Sequence, residues 1–179
     1  MSLDLYIGVD ESNNGKAFEI HTSVFSIHTS DAIELSKESL LPKLRSHQNL
    51  FGRLKKRDYS FLLFTDSDKK RISRYDQTGA IITSLIHGEF DHTIFDWTDF
   101  DSFNFILDGS RYPREIDRMV DMVIEKIPKI KPSKVSVSYG GKYDQRYPVV
   151  NLADQLAHYL FRKGLDYVSE HKDRKALLY

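Results

Sequence analysis

Tyr6-Ile7-Gly8-Val9-Asp10-Glu11-Ser12-Asn13-Asn14-Gly15 runs from an apolar stretch, through two adjacent carboxylates, into a turn signal. Leu5, Ile7 and Val9 alternate with Tyr6, Gly8 and Asp10, and both sets are mostly apolar. That pattern reads as a strand buried on both faces. Ser12 to Gly15 is a strong turn signal. Ala17 to Ile27 alternates again and is rich in β-formers, so the first two strands are expected to form a hairpin. Carboxylates at the end of a buried strand cost desolvation free energy, so Asp10 and Glu11 need a purpose.

Working outward, Ser30 to Leu44 suits a short helix, with Ser30 or Asp31 as N-cap and Pro42 near its end. Tyr59 to Thr65 reads as a third strand. Lys69 to His87 has helical spacing through Ile72, Tyr75, Ile82, Leu85 and Ile86, and Ile94 to Trp97 is a short strand or loop. Phe103 to Leu107 is a fourth strand, ending in Asp108-Gly109-Ser110. Pro113 then begins a helix through Ile116, Met119, Val120, Val123, Ile124 and Ile127, ended by Pro128 and Pro132. Val135 to Tyr139 makes a fifth strand, and Tyr147 to about Ser169 a long closing helix. A hairpin followed by right-handed β-α-β crossovers gives an α/β fold. Its five-stranded mixed sheet opens antiparallel and continues parallel, with helices on both faces, as in the ribonuclease H fold. A flavodoxin-like sheet needs a helix between the first two strands, where only a turn is available; a phospho-acceptor receiver-like domain meets the same objection.

The 179 residues are most simply one domain, 1–179, with no repeat or low-complexity linker. Apolar residues make up 40% and charged residues 29%, ordinary values for a soluble globular chain. No apolar run approaches the roughly 20 residues of a membrane span. The acidic beginning (Asp4, Asp10, Glu11) lacks the basic region of a signal peptide, so the expected location is cytoplasmic and no membrane partner is expected. Without Cys there is no disulfide, thiolate metal site or cysteine nucleophile. The 26 basic and 26 acidic residues balance, which suits a nuclease with a basic track and an acidic centre as well as it suits other proteins. Basic residues cluster at Arg53, Lys55, Lys56 and Arg57, at Lys69, Lys70, Arg71 and Arg74, and at Lys126, Lys129, Lys131 and Lys134. Such runs are ordinarily solvated faces. They become a phosphate track only where they share a face around an acidic site.

Ligands in open α/β sheets collect at the carboxyl ends of strands. Asp10-Glu11 end the first strand and Asp108 the fourth, and in the expected sheet those strands are parallel neighbours. Adjacent strand residues point to opposite faces, so Asp10 and Glu11 share one site only if the strand bends or stops there. Asp144 lies in the loop before the last helix, and Asp154 within that helix, on a stripe with Val150, Ala153, Ala157 and Phe161. Asp144 and Asp154 compete for the last place in an acidic site. Clustered carboxylates repel one another unless a cation neutralises them. Oxygen donors without Cys or clustered His suit Mg²⁺ or Mn²⁺. Two such ions about 4 Å apart can activate water and stabilise the leaving oxygen in phosphodiester cleavage. The plainer reading of each acid alone is turn or loop chemistry.

At these residues the sequence resembles a divergent type 2 ribonuclease H, across nearly the whole chain. Three blocks carry the resemblance: Y-I-G-V-D-E-S-N-N-G, F-I-L-D-G-S-R and G-K-Y-D-Q-R-Y-P-V-V-N-L-A-D-Q-L-A-H-Y. By position it implies metal-binding roles for Asp10, Glu11, Asp108 and Asp144. The Gly-Arg-Gly turn by which the family contacts the ribonucleotide backbone is replaced by Ser12-Asn13-Asn14-Gly15, without the Arg. Leu152-Ala153-Asp154 stands where the family has a small-residue run, and it resembles other ribonuclease-H-like proteins whose helix Asp completes the acidic site. The implied activity is a metal-dependent nuclease acting on an RNA–DNA hybrid, RNA or single-stranded DNA. Arg111, Arg114, Lys142 and Arg146 are placed to hold phosphates, and Tyr112, Tyr139, Tyr143 and Tyr147 to stack on bases or sugars. The alternative is a non-catalytic binding or assembly module on the same fold. His158, one turn after Asp154, is more simply a surface or hydrogen-bonded His.

Overall fold

The computed structural model describes residues 3–12, 18–41, 49–55, 57–67 and 99–170, the side chains of residues 11, 12 and 126 excepted. Strands β1 (Asp4–Ser12), β2 (Phe18–Ser26), β3 (Asp58–Thr65), β4 (Ser102–Asp108) and β5 (Val135–Gly140) form one sheet in the order β3-β2-β1-β4-β5. β1 pairs antiparallel with β2, and β2 with β3. On its other side β1 pairs parallel with β4, and β4 with β5. The mixed five-stranded sheet expected from the sequence is therefore the observed one.

Alternation divides the sheet into two cores. Leu5, Ile7 and Val9 of β1 join Phe103, Phe105 and Leu107 of β4 against Met119, Met122 and Val123 of helix α2 (Pro113–Lys126). That helix begins where Pro113 fits the first helical position, and the Glu115 carboxylate accepts the Tyr112 backbone N–H at 2.8 Å. Ile20, Val24 and Ile106 face the opposite way, against Val149, Val150, Ala153 and Leu156 of helix α4 (Pro148–Lys163). The buried Leu50 and Leu54 of the short helix α1 (Leu50–Leu54) complete this second core. β1 is thus buried on both faces, as its double apolar pattern predicts.

Gly8 sets how closely α4 approaches. A Cβ at this position would lie 2.5 Å from the carbonyl carbon and oxygen of Val149 and 2.7 Å from the Val150 nitrogen. The missing side chain lets the first turn of α4 rest on the backbone of the central strand.

Three expectations are corrected. The closing helix expected from Tyr147 to about Ser169 is broken: α4 ends at Gly164, with α5 (Leu165–Glu170) following, and the loop expected before it holds a short helix, α3 (Tyr143–Arg146). Pro148 has no N–H for a helix continuing out of α3. Gly164 takes φ 90°, and its N–H reaches the Leu160 and Phe161 carbonyls at 3.3 and 3.1 Å. Within the described part of Ser30 to Leu44 there is no α-helix, only 3₁₀ turns at Thr29–Asp31 and Lys37–Ser39. Asp31 does not cap a helix; its carboxylate takes two bonds from Arg57, at 2.6 and 2.7 Å, and one from Ser26 at 2.5 Å. Finally, β1 neither bends nor stops at its acids. Its antiparallel register continues through Asp10↔Thr22, Glu11↔His21 and Ser12↔Ile20. The helix expected over Lys69 to His87, the segment Ile94 to Trp97 and the turn at Asn13 to Gly15 lie outside the described residues.

Candidate acidic site at the carboxyl end of the sheet

The parallel pairing of β1 with β4 closes at Val9↔Leu107, and the next residue on each strand is an aspartate, Asp10 and Asp108. Each follows by two positions a residue packed under α4, Gly8 and Ile106. Alternation therefore puts both aspartates on the α4 face. Asp10 is buried and Asp108 half-buried.

Asp108 is held by a helix 35 residues away in sequence. Its Oδ1 accepts the backbone N–H groups of Tyr143 at 2.7 Å and Asp144 at 3.4 Å. Those are among the first N–H groups of α3, which have no partner within the helix. The anion at the end of β4 thus docks α3 and brings Asp144, 2% exposed, beside it. Lys142, immediately before α3, is exposed and adopts the left-handed conformation at φ 66°.

Asp154 lies in α4. The Thr22 hydroxyl, on the strand residue opposite Asp10, lies 2.8 Å from the Ala153 carbonyl and 3.3 Å from that of Asp10. One donor thereby ties β2 to the second turn of α4. Asp154, the next residue, is half-buried, as is His158 one turn later. Glu11 pairs with His21 in the ladder between β1 and β2, and its side chain lies outside the described residues.

The cationic residues separate into different environments. Arg111 and Arg114 follow Asp108 at the same end of the sheet; Arg111 is half-buried and donates to the Ser110 carbonyl at 3.1 Å, and Arg114 is exposed. Arg146 forms an ion pair with Glu34. Glu34 also accepts the Tyr147 hydroxyl at 3.1 Å, and burial together with that contact holds the phenol's pKa well above its ordinary range. Leu35 and Leu41 donate backbone bonds to Arg146 and Gln145, so the segment after β2 straps α3. Tyr147 is buried and packs on Tyr143 at 4.6 Å between ring centres, whereas Tyr112 and Tyr139 are 62% and 40% exposed. Within the basic run at Arg53 to Arg57, Lys55 is exposed, whereas Arg53 bonds Gln155 and Arg57 is locked to Asp31. Lys129, Lys131 and Lys134 are exposed before the amino end of β5, at the far end of the sheet from Asp108. The run at Lys69 to Arg74 lies outside the described residues.

The donors have the right chemistry for a hard dication, being all carboxylate oxygens. Their number falls short: among the described residues no three acidic or histidine side chains come together as a metal site. Sequence reasoning missed Asn151, Gln155 and Arg53, which bond one another behind Asp144. Two amides spaced i, i+4 within the otherwise apolar face of α4 were the available signal.

Among the described residues no helix is long and apolar enough to cross a membrane. No protein-family model matches the chain, and no curated protein sequence does. Solved structures do match. Ribonuclease H2 from Pyrococcus horikoshii OT3 is similar at 13% identity over 95% of this chain and 78% of that one, with a TM-score of 0.54. RNase HII from Archaeoglobus fulgidus, solved as a PCNA complex, is 14% identical over 94% of this chain and 79% of that one, at 0.56. Bst-RNase HIII, solved with Mn2+, is 14% identical over 94% of this chain and 55% of that one, at 0.51. Strand order, strand direction and these likenesses agree: the chain has a ribonuclease H-like fold.

Proposed function

We propose that the protein is a divalent-metal-dependent nuclease that hydrolyses phosphodiester bonds in RNA, in an RNA–DNA hybrid or in single-stranded nucleic acid. One observation supports the reading: the parallel pairing of β1 with β4 closes at Val9↔Leu107, so Asp10 and Asp108 follow as the next residues on neighbouring strands; Asp144 belongs to α3, which docks on Asp108, and Asp154 to α4, which is tied to Thr22 through Ala153. Asp10 and Asp108 are the primary metal ligands, and Asp154 and Asp144 are the candidates to complete the set; Glu11 drops out, because β1 continues past it in unbroken register and adjacent strand residues alternate between faces. Bound Mg²⁺ or Mn²⁺ would supply an activated water and charge neutralisation at the leaving oxygen. The chain's own contribution is placement. Asp108 orients α3, Thr22 and Gly8 fix the height of α4, and Arg111, Arg114 and Lys142 offer cationic contacts for phosphates beside the acids. Arg146 joins them only on release from Glu34. Likeness to RNase H2, HII and HIII favours nucleic acid as the substrate class.

Cleavage of RNA–DNA hybrid, single-stranded RNA, single-stranded DNA and duplex DNA, each with Mg²⁺ or Mn²⁺, tests the proposal. Asp10→Asn with Asp108→Asn should abolish metal-dependent cleavage while the chain stays folded, because the amide introduced at position 108 keeps an acceptor oxygen for the α3 N–H groups. Undiminished cleavage by the double variant refutes the mechanism. The shortage of three convergent ligands favours a second reading, a non-catalytic nucleic-acid-binding or assembly module. Calorimetry separates the two: metal binding lost on Asp10→Asn supports the enzyme, and no binding at millimolar Mn²⁺ supports the module.

A further inference from the structure

Asp144 carries a backbone problem that its own helix cannot solve. In a continuing helix its carbonyl would accept the N–H four residues on, but that residue is Pro148, which has none. The Asn151 side chain replaces the missing donor, with Nδ2 2.7 Å from the Asp144 oxygen. Asn151 is 2% exposed, so its own oxygen needs a partner too, and Gln155 Nε2 donates to it at 2.5 Å. Gln155, 1% exposed, has its oxygen bonded by the Arg53 guanidinium from α1.

An amide chain of this kind can run in either direction, because an Asn or Gln side chain can turn over. A guanidinium removes the choice. Arg53 has only donors, so Gln155 must present its oxygen to it and its NH₂ to Asn151. Asn151 must then present its oxygen to Gln155 and its NH₂ to Asp144. The reverse orientation would set the Asn151 oxygen against the Asp144 carbonyl. Arg53 is itself oriented by its neighbour, since Arg57 Nη1 donates to the Arg53 carbonyl at 2.6 Å while Asp31 grips the same guanidinium.

We propose that Arg53 is a remote positioning residue of the candidate site: its charge fixes the direction of the Gln155–Asn151 amide relay, which holds the α3 backbone at Asp144 against Asp108. The consequence for catalysis rests on the nuclease reading above; the relay itself does not.

Hydrogen exchange of the segment 141–147 tests the relay without any enzyme assay. In Arg53→Met the amides of Tyr143 and Asp144 should exchange about tenfold faster, as expected from losing one buried hydrogen bond, with β1 and β4 unchanged. Arg53→Lys, which keeps a charged donor, should restore most of the protection. Gln155→Glu separates direction from mere anchorage: it keeps and strengthens the Arg53 pair but has no N–H for Asn151. At pH 8 it should loosen 141–147 while leaving α1 protected. Wild-type exchange of 141–147 in Gln155→Glu overturns the proposal, and this variant keeps the question decidable if Arg53→Met does not fold. In a cleavage assay the same variants should raise the Mn²⁺ half-saturation severalfold more than they change the saturated rate. Absence of cleavage by the wild type would overturn the nuclease reading, and the exchange pattern would still decide the relay.

Discussion

Substituting Gly8 by Ala probes the contact that sets α4 on the sheet. The new Cβ would stand 2.5 Å from two Val149 backbone atoms and 2.7 Å from a third, at Val150. Carbon atoms pack at about 3.5–4.0 Å, so the first turn of α4 must retreat by about 1 Å; backbone atoms have no rotamer with which to avoid the clash. The same retreat stretches the 2.8 Å bond between Thr22 and Ala153 out of hydrogen-bonding range. Overpacking of this kind costs about 1–3 kcal/mol, and the lost bond adds about 1 kcal/mol. At about 2–4 °C per kcal/mol for a chain of this size, Tm should fall on the order of 10 °C. The sign is informative, because Gly→Ala at an unstrained, roomy position stabilises by about 0.4–1 kcal/mol through the unfolded chain. Thermal and urea unfolding measure it. A Gly8→Ala protein with unchanged or raised Tm would show that α4 does not rest on β1.

Other consequences are open to simple measurements. Burial pushes the Asp31 carboxyl up, but the hydrogen bonds from Arg57 and Ser26 and the Arg57 charge outweigh it and hold its pKa below the ordinary value. A depressed carboxyl stabilises fully above its unfolded value, near about 4, and the gain disappears as pH falls through the folded value. Urea midpoints between pH 6 and pH 2 should therefore drop more steeply for the wild type than for Asp31→Asn; equal slopes refute the coupling. Thr22→Val, nearly the same shape, should cost about 0.5–1.5 kcal/mol in urea unfolding by removing the hydroxyl bond that ties β2 to α4; an unchanged midpoint would mean that the bond adds nothing to the seating of α4. Gly164→Ala places a side chain at φ 90° and ψ 168° and should cost about 1–3 kcal/mol, with faster exchange in α5; unaltered stability would mean that the helix end relaxes freely.

β1 could be read from sequence because its two alternating sets are both apolar, and α2 because Pro113 starts a clean 3.6-residue period. Asp10 and Asp108 followed from topology, since the ends of parallel neighbours must coincide. What escaped depends on partners distant in sequence. Nothing local announces that Asp31 will bind Arg57 and so decline to cap a helix, or that α1, only five residues long, forms a helix at all. The break between α4 and α5 was hidden in a run of helix formers, although Gly164 marked it. Arg53 and Arg57 read as surface charge because periodicity cannot show that the facing groups are Gln155 and Asp31.

The position of β1 between an antiparallel and a parallel neighbour also orders events in time. β2 follows β1 directly in sequence, whereas β4 must return to it from nearly 100 residues away, Val9 pairing with Leu107. The hairpin can close early, and it carries Asp10 without Asp108. Parallel closure pays its loop entropy late, and only then does Asp108 arrive, followed by α3 and α4. In this order Asp10 and Asp108 come side by side only at the last closure of the sheet. Like charges meet only when the surrounding fold is there to hold them.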